Sequence, residues 1–289
     1  MPAASTVGGW SSGDGSGTTS SAPGSTSTSS DTSSSTSSES SSTSTTSTSS
    51  ASSSTGASAP PRWVATIAPD STLRAIDLDD GTVVDVCTLA GIDDPDGLAF
   101  LPDDRLVGAH ANELALWIAD PCDCTVAFVP ALEPPLALHA IAETDDNEPT
   151  IVGADASRGA LFGVQVDLPQ LLPLGELPIA SSITALASSP DQLELHALAV
   201  LGEPQLLRIA PASGTVTSQL AIDIPASATG LTRAPDGSAL IACDDTGALW
   251  RIDPDDASVT LLDAALPDPC RTLATAHAEV ACIVELLDG

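Results

Sequence analysis

The chain has 289 residues, with 8 Lys or Arg (all of them arginine), 39 Asp or Glu, a formal charge of -31, 2% aromatic residues and six cysteines. A nucleic-acid binder must answer about one negative charge per 1.7 Å of duplex, and an anionic membrane surface attracts basic clusters, so eight arginines spread from Arg62 to Arg271 exclude both partners. No stretch approaches the roughly 18 consecutive apolar residues of a spanning helix, so direct membrane insertion is not expected.

The first part of the chain is a different polymer from the rest. Between Ser11 and Ser58, 36 of 48 residues are Ser or Thr. So little apolar surface cannot offset the entropy of ordering a backbone. Residues 1–61 are therefore expected to be a disordered Ser/Thr-rich linker or stalk, closing on Ala59-Pro60-Pro61. Setting aside Asp14, Asp31 and Glu39 leaves 36 acids and all eight arginines in residues 62–289, a net of -28. Met1 to Trp10 has neither the basic n-region nor the apolar h-region of a secretory signal. A secreted, periplasmic or cell-surface address is expected on the assumption that the true start, with its signal, lies upstream.

From residue 62 onward a strand-like phrase recurs: Leu73-Arg74-Ala75-Ile76-Asp77, Leu116-Trp117-Ile118-Ala119-Asp120, Leu161-Phe162-Gly163-Val164, Leu206-Leu207-Arg208-Ile209 and Leu249-Trp250-Arg251-Ile252-Asp253. Its leading leucines are 43, 45, 45 and 43 residues apart. A second phrase keeps step with it, led by Leu98, Ile141, Leu186, Leu231 and Leu273 at spacings of 43, 45, 45 and 42. Two phrases in register over five copies define a structural repeat.

Each unit reads as four short strands. The second phrase is the first strand, and a turn such as Pro235-Asp236-Gly237 follows it. An apolar second strand such as Ala239-Leu240-Ile241-Ala242 comes next, then the Leu-Trp phrase. A hairpin turn at Asp79-Asp80-Gly81-Thr82 or Ala212-Ser213-Gly214-Thr215 leads to the fourth. Four antiparallel strands per 42 to 47 residues is the pattern of a β-propeller blade. The repeat region opens on the later strands of a unit, Trp63 to Leu89, and ends on the early strands of one, Arg271 to Leu287. The expected fold is all-β, a five-bladed propeller over residues 62–289 with one blade closed by both termini, which leaves no exposed sheet edge at the seam.

Leu249-Trp250-Arg251-Ile252-Asp253-Pro254, following Pro235-Asp236-Gly237, resembles the repeats of bacterial propellers in the broad NHL-type and gluconolactonase-like group. The resemblance covers roughly residues 63–287 and implies the architecture. Propellers of this kind serve as lactonases, lyases and binding modules, so it does not by itself imply an activity. Gluconolactonase-like enzymes hold their metal with Glu, Asp and Asn at the channel mouth. This chain has two asparagines, Asn112 and Asn147, and only Asn112 falls in a loop on that face, so the family's metal set cannot be carried over intact.

The six cysteines, Cys87, Cys122, Cys124, Cys243, Cys270 and Cys282, are expected to form disulfides in an oxidising compartment. Inert buried thiols are the alternative. Cys122-Asp123-Cys124 is the only close pair, and a structural zinc site would need a second. On the channel face, loops joining second to third strands and one blade to the next contribute acids. Asp70, Asp94, Asp155, Asp244 and Asp245 are the candidate ligands should Ca2+, which takes six to eight oxygens, be bound. The opposite face is equally acidic, through residues such as Asp103, Asp191, Asp236 and Asp256, which favours turn solvation as the role of most of them. His110, Arg158 and Arg271 could approach the mouth. No nucleophile motif, histidine pair or phosphate-binding glycine loop accompanies them. The expected function is a non-catalytic binding module without catalytic residues or cofactor, monomeric, and engaging a protein or small molecule. The alternative is a Ca2+-dependent hydrolase or lactonase.

Overall fold

The computed structural model describes residues 61–92, 95–144, 151–168 and 170–289. The expected disordered tract, apart from Pro61, lies outside the described residues.

Four blades are continuous four-stranded antiparallel meanders. Blade 2 is β4 (Gly97–Phe100), β5 (Leu106–His110), β6 (Ala115–Ala119) and β7 (Val126–Phe128). Blade 3 is β8 (Leu138–Glu143), β9 (Ile151–Asp155), β10 (Ala160–Gln165) and β11 (Gln170–Glu176). Blade 4 is β12 (Ile183–Ser188), β13 (Leu195–Val200), β14 (Pro204–Ala210) and β15 (Thr215–Ala221). Blade 5 is β16 (Ala228–Arg233), β17 (Leu240–Asp244), β18 (Ala248–Ile252) and β19 (Val259–Ala265). Blade 1 has three strands from the start of the repeat region, β1 (Trp63–Ile67), β2 (Thr72–Asp77) and β3 (Val83–Thr88). Its innermost position is taken by the chain around Ala274, whose N–H and C=O exchange hydrogen bonds of 2.9 and 2.8 Å with Ala65.

The ring closes through apolar packing at every seam. Five buried clusters form, one between each pair of neighbouring blades, including blade 5 against blade 1 through Ile241, Leu249, Leu273, Val64 and Ile76. Second strands such as β5, β9 and β17 are buried along their whole length. The outermost strand β15 alternates exposed and half-buried residues, as a strand with one wet face must. The leading leucine of the Leu-Trp phrase is buried in all five copies, at 0 to 4% exposure. The following aromatic is fully buried only as Trp117; Phe162 and Trp250 are half-buried.

The acids of the turns have a local task. Asp70, Asp80, Asp123, Asp191, Asp236 and Asp256 each accept the backbone N–H two residues on, at 2.8 to 3.2 Å. A carboxylate does this well because it fixes the turn and keeps its charge in water. The Thr125 hydroxyl, and then its N–H, hold the Asp123 carboxyl below its ordinary pKa, and Ser189 does the same for Asp191.

The C-terminal end departs from expectation. Only the chain around Ala274 joins the sheet, and α1 (Ala281–Asp288) follows instead of a second strand. The apolar run Cys282-Ile283-Val284 reads as β-forming, but Val280, Ile283 and Leu287 share one helical face. Val280 and Ile283 are buried between blades 1 and 2, with Leu287 packed against them.

All six cysteines are paired, as Cys87–Cys124, Cys122–Cys282 and Cys243–Cys270. The three bonds surround the one blade built from two chain segments. Cys243–Cys270 fixes the incoming chain to blade 5 just before Ala274, and Cys122–Cys282 fixes the outgoing helix to blade 2 just after it. Cys87–Cys124 ties the outer strand of blade 1 to the same turn of blade 2. Three disulfides point to an oxidising, extracytoplasmic environment. Among the described residues, no helix is long and apolar enough to cross a membrane.

Candidate functional site at the channel mouth

The first strands line the central channel, and the repeat fixes what each presents there. The leaders Leu98, Ile141, Leu186, Leu231 and Leu273 meet at its waist, each no more than 4% exposed. They leave a void of about 10 Å³, roughly one water at most. The channel is therefore plugged by an apolar girdle, one aliphatic side chain per blade.

Two residues before each leader stands a polar residue: Asp96, His139, Thr184, Thr229 and Arg271. All five line one cup at the mouth, of about 380 Å³, together with Pro95, Ser227 and Asp245. Asp245 comes from the loop joining second to third strands and Asp96 and Arg271 from loops between blades, so both loop sets open on this face as expected.

Three members of the ring bond to the backbone of the next blade around. His139 Nε2 lies 2.8 Å from the Ala180 carbonyl oxygen. A carbonyl only accepts, so Nε2 carries the hydrogen and donates it, while Nδ1 is buried without a hydrogen-bond partner. Thr184 Oγ1 donates to the Ala228 carbonyl at 3.0 Å, and Thr229 Oγ1 to the Cys270 carbonyl at 3.3 Å. Asp96 cannot donate, and instead accepts the Ala111 N–H at 2.7 Å within its own blade. These bonds hold the rim rigid and consume the hydroxyl hydrogens.

The candidate metal ligands are placed differently from one another. Asp155 is fully buried, with Oδ1 accepting Ser157 N, Ser157 Oγ and Arg158 N, and Oδ2 accepting Ala137 N. Asp244, 1% exposed, accepts Thr246 N, Thr246 Oγ1 and Ala248 N. Asp70 holds its own turn through Thr72 N. Asp245 alone of the set lines the cup, and Asp94 lies outside the described residues. Among the described residues, no three His, Cys, Asp or Glu side chains group closely enough to hold a metal ion. Of the three basic residues expected near the mouth, Arg271 lines the cup. Arg158 instead pairs with Asp155 and lies 5.7 Å from the Phe162 ring centroid. His110 is buried at the end of β5, in the register position held by Asp155 and Asp244 in other blades.

On the opposite face, His196 is 5% exposed beside Arg208. Burial, reinforced by the Arg208 charge, pushes its pKa below the ordinary 6.5. The folded protein then binds fewer protons than the unfolded chain just below pH 6.5. Stability from this site is complete above that pH and is lost as pH falls toward the folded pKa. The urea midpoint should drop between pH 7 and pH 5.5, and His196→Asn should flatten that slope. The same slope in the variant would show that other groups set it.

No protein-family model and no curated protein sequence matches the chain. Among solved structures, it is similar to a chain of the "Nidogen/Laminin Complex", at 12% identity over 75% of this chain and 99% of that one, with a TM-score of 0.57. It is also similar to virginiamycin B lyase from Staphylococcus aureus, at 18% identity over 68% of this chain and 64% of that one, with a TM-score of 0.42. A streptogramin B lyase gives 13%, 68%, 63% and 0.43. At these identities the nidogen/laminin likeness is one of fold, and function must be argued from the site.

Proposed function

We propose that this chain is a secreted or surface-displayed, non-catalytic binding module that takes its ligand, a small molecule or a side chain of a protein partner, in the cup at the channel mouth. The observation that carries the reading is the ring of Asp96, His139, Thr184, Thr229 and Arg271: one polar residue per blade, at one repeat position, over a closed apolar floor. Ligand pockets are concave, mostly preformed and carry a few fixed polar groups, and the bonds from rim residues to the next blade preform this one. In the proposed organisation residues 1–61 are a tether for the 62–289 propeller, which lets a rigid domain sample space away from an anchor. The nidogen/laminin likeness is compatible with a protein partner, and the repeat phrases keep the NHL-type and gluconolactonase-like group as our reading of descent.

A fragment screen by protein-observed NMR on the full chain tests this. Hits should shift the amides of the ring residues and be recovered chemically unchanged after long incubation. Hits that map elsewhere would remove the cup, and consumed hits would remove the non-catalytic reading. Millimolar Ca2+ or EDTA should leave the melting temperature unchanged. A rise with Ca2+ that Asp245→Asn abolishes would instead support the metal-dependent hydrolase, with Asp70, Asp94, Asp155, Asp244 and Asp245 as its starting ligand set.

A further inference from the structure

We infer that the cup is built for a primary ammonium group, such as a lysine side chain of a basic partner, an assignment that rests on the cup being the binding site. Donor and acceptor accounting leads there. Thr184 and Thr229 have given their only hydroxyl hydrogens to the Ala228 and Cys270 carbonyls, so toward the cup their oxygens can only accept. His139 has given Nε2–H to the Ala180 carbonyl and its Nδ1 is enclosed by protein, so the ring adds no free donor to the cup. Asp96 and Asp245 are acceptors as carboxylates. Among the residues lining the cup, Arg271 and Ser227 are the other side chains that carry polar hydrogens. A ligand that satisfies this wall must bring donors.

Charge narrows the class. The cup holds two carboxylates against one guanidinium, within a domain of net charge -28 that raises the local concentration of cations. An ammonium carries one charge and three donors in a compact head, which fits a carboxylate and the two threonine oxygens together. A quaternary ammonium is recognised through aromatic faces, and no Trp, Tyr or Phe lines this cup. Hydrogen bonding, rather than cation–π contact, is the recognition the wall provides.

Three five-carbon probes separate the possibilities: n-pentylammonium, pentyltrimethylammonium and pentanoate, titrated into the 15N-labelled full chain. Pentylammonium should shift the ring residues and bind at least tenfold more tightly than its trimethyl counterpart. Asp96→Asn or Asp245→Asn should weaken it at least tenfold, and Asp256→Asn on the opposite face should not. Asp245 is exposed, so its variant decides the matter if Asp96→Asn fails to fold. Equal binding of the two cations, or equal loss in Asp256→Asn, would overturn the inference in favour of diffuse surface charge. Pentanoate binding in the cup would overturn the ammonium assignment and leave the cup as a binding site. No shift at the ring with any probe, together with fragment hits elsewhere, would overturn both.

Discussion

Replacing Cys122 and Cys282 together by serine should lower stability by up to about 5 kcal/mol, the chain-entropy value for a closed loop of 160 residues. The loops of Cys87–Cys124 and Cys243–Cys270, at 37 and 27 residues, give about 4 kcal/mol or slightly less each. Cys122–Cys282 should have the largest effect for a second reason. Blade 1 is held at its inner edge by the Ala65–Ala274 exchange, and α1 fills the interface behind it through Ile283. Release of Cys282 leaves the inner-edge segment tied covalently only on its incoming side, by Cys243–Cys270, and leaves α1 with the Arg62–Asp288 pair, an exposed contact at 2.5 Å worth little on its own. Chemical denaturation of the double variant should show the shift. Amide exchange should show protection lost first in Thr272–Ala276 and α1. A midpoint equal to wild type, or loss spread evenly over all blades, would mean the bond is not what secures the seam.

Trp117→Ala is the second large effect, expected at about 3–5 kcal/mol for a fully buried aromatic. Trp117 is 0% exposed and lies against Gly108 of the neighbouring strand, with which it is paired in register. A Cβ placed on Gly108 would fall 1.9 Å from Trp117 Cζ2. Gly108→Ala should therefore destabilise by overpacking, typically about 1–3 kcal/mol, although it removes nothing. The two changes share one space. Gly108→Ala combined with Trp117→Leu should therefore be less damaging than the two single effects added together. Strict additivity in urea melts would show that the glycine is kept for another reason.

The architecture was legible because both repeat phrases are leucine-led and their spacing needs no side-chain geometry to be read. The same regularity held the site in view without marking it. Of its five members, only Arg271 is marked by the sequence as a residue near the mouth; Asp96 reads as one loop acid among many and His139 as an isolated histidine. The shared position two residues before each leader of the second phrase is what joins these three with Thr184 and Thr229. Threonine carries no signal for function on its own, and only the carbonyl each hydroxyl meets shows what it presents. Acid count misled in the other direction. Asp155 and Asp244 sit at the channel end of their strands, but their oxygens are taken up by backbone N–H groups, which no sequence pattern distinguishes from metal ligation. The closing helix was hidden for a local reason. Ile283 and Val284 favour strands by propensity, and burial between two blades outweighed that preference.

The girdle of Leu98, Ile141, Leu186, Leu231 and Leu273 has a kinetic consequence. A molecule that enters at the rim has no exit at the far end, so arrival and departure use one doorway. Whatever covers that doorway blocks both. A second partner seated across the rim would slow the escape of a molecule already inside by the same steric means that stops a new one entering, and the lifetime of the inner complex would be set from outside.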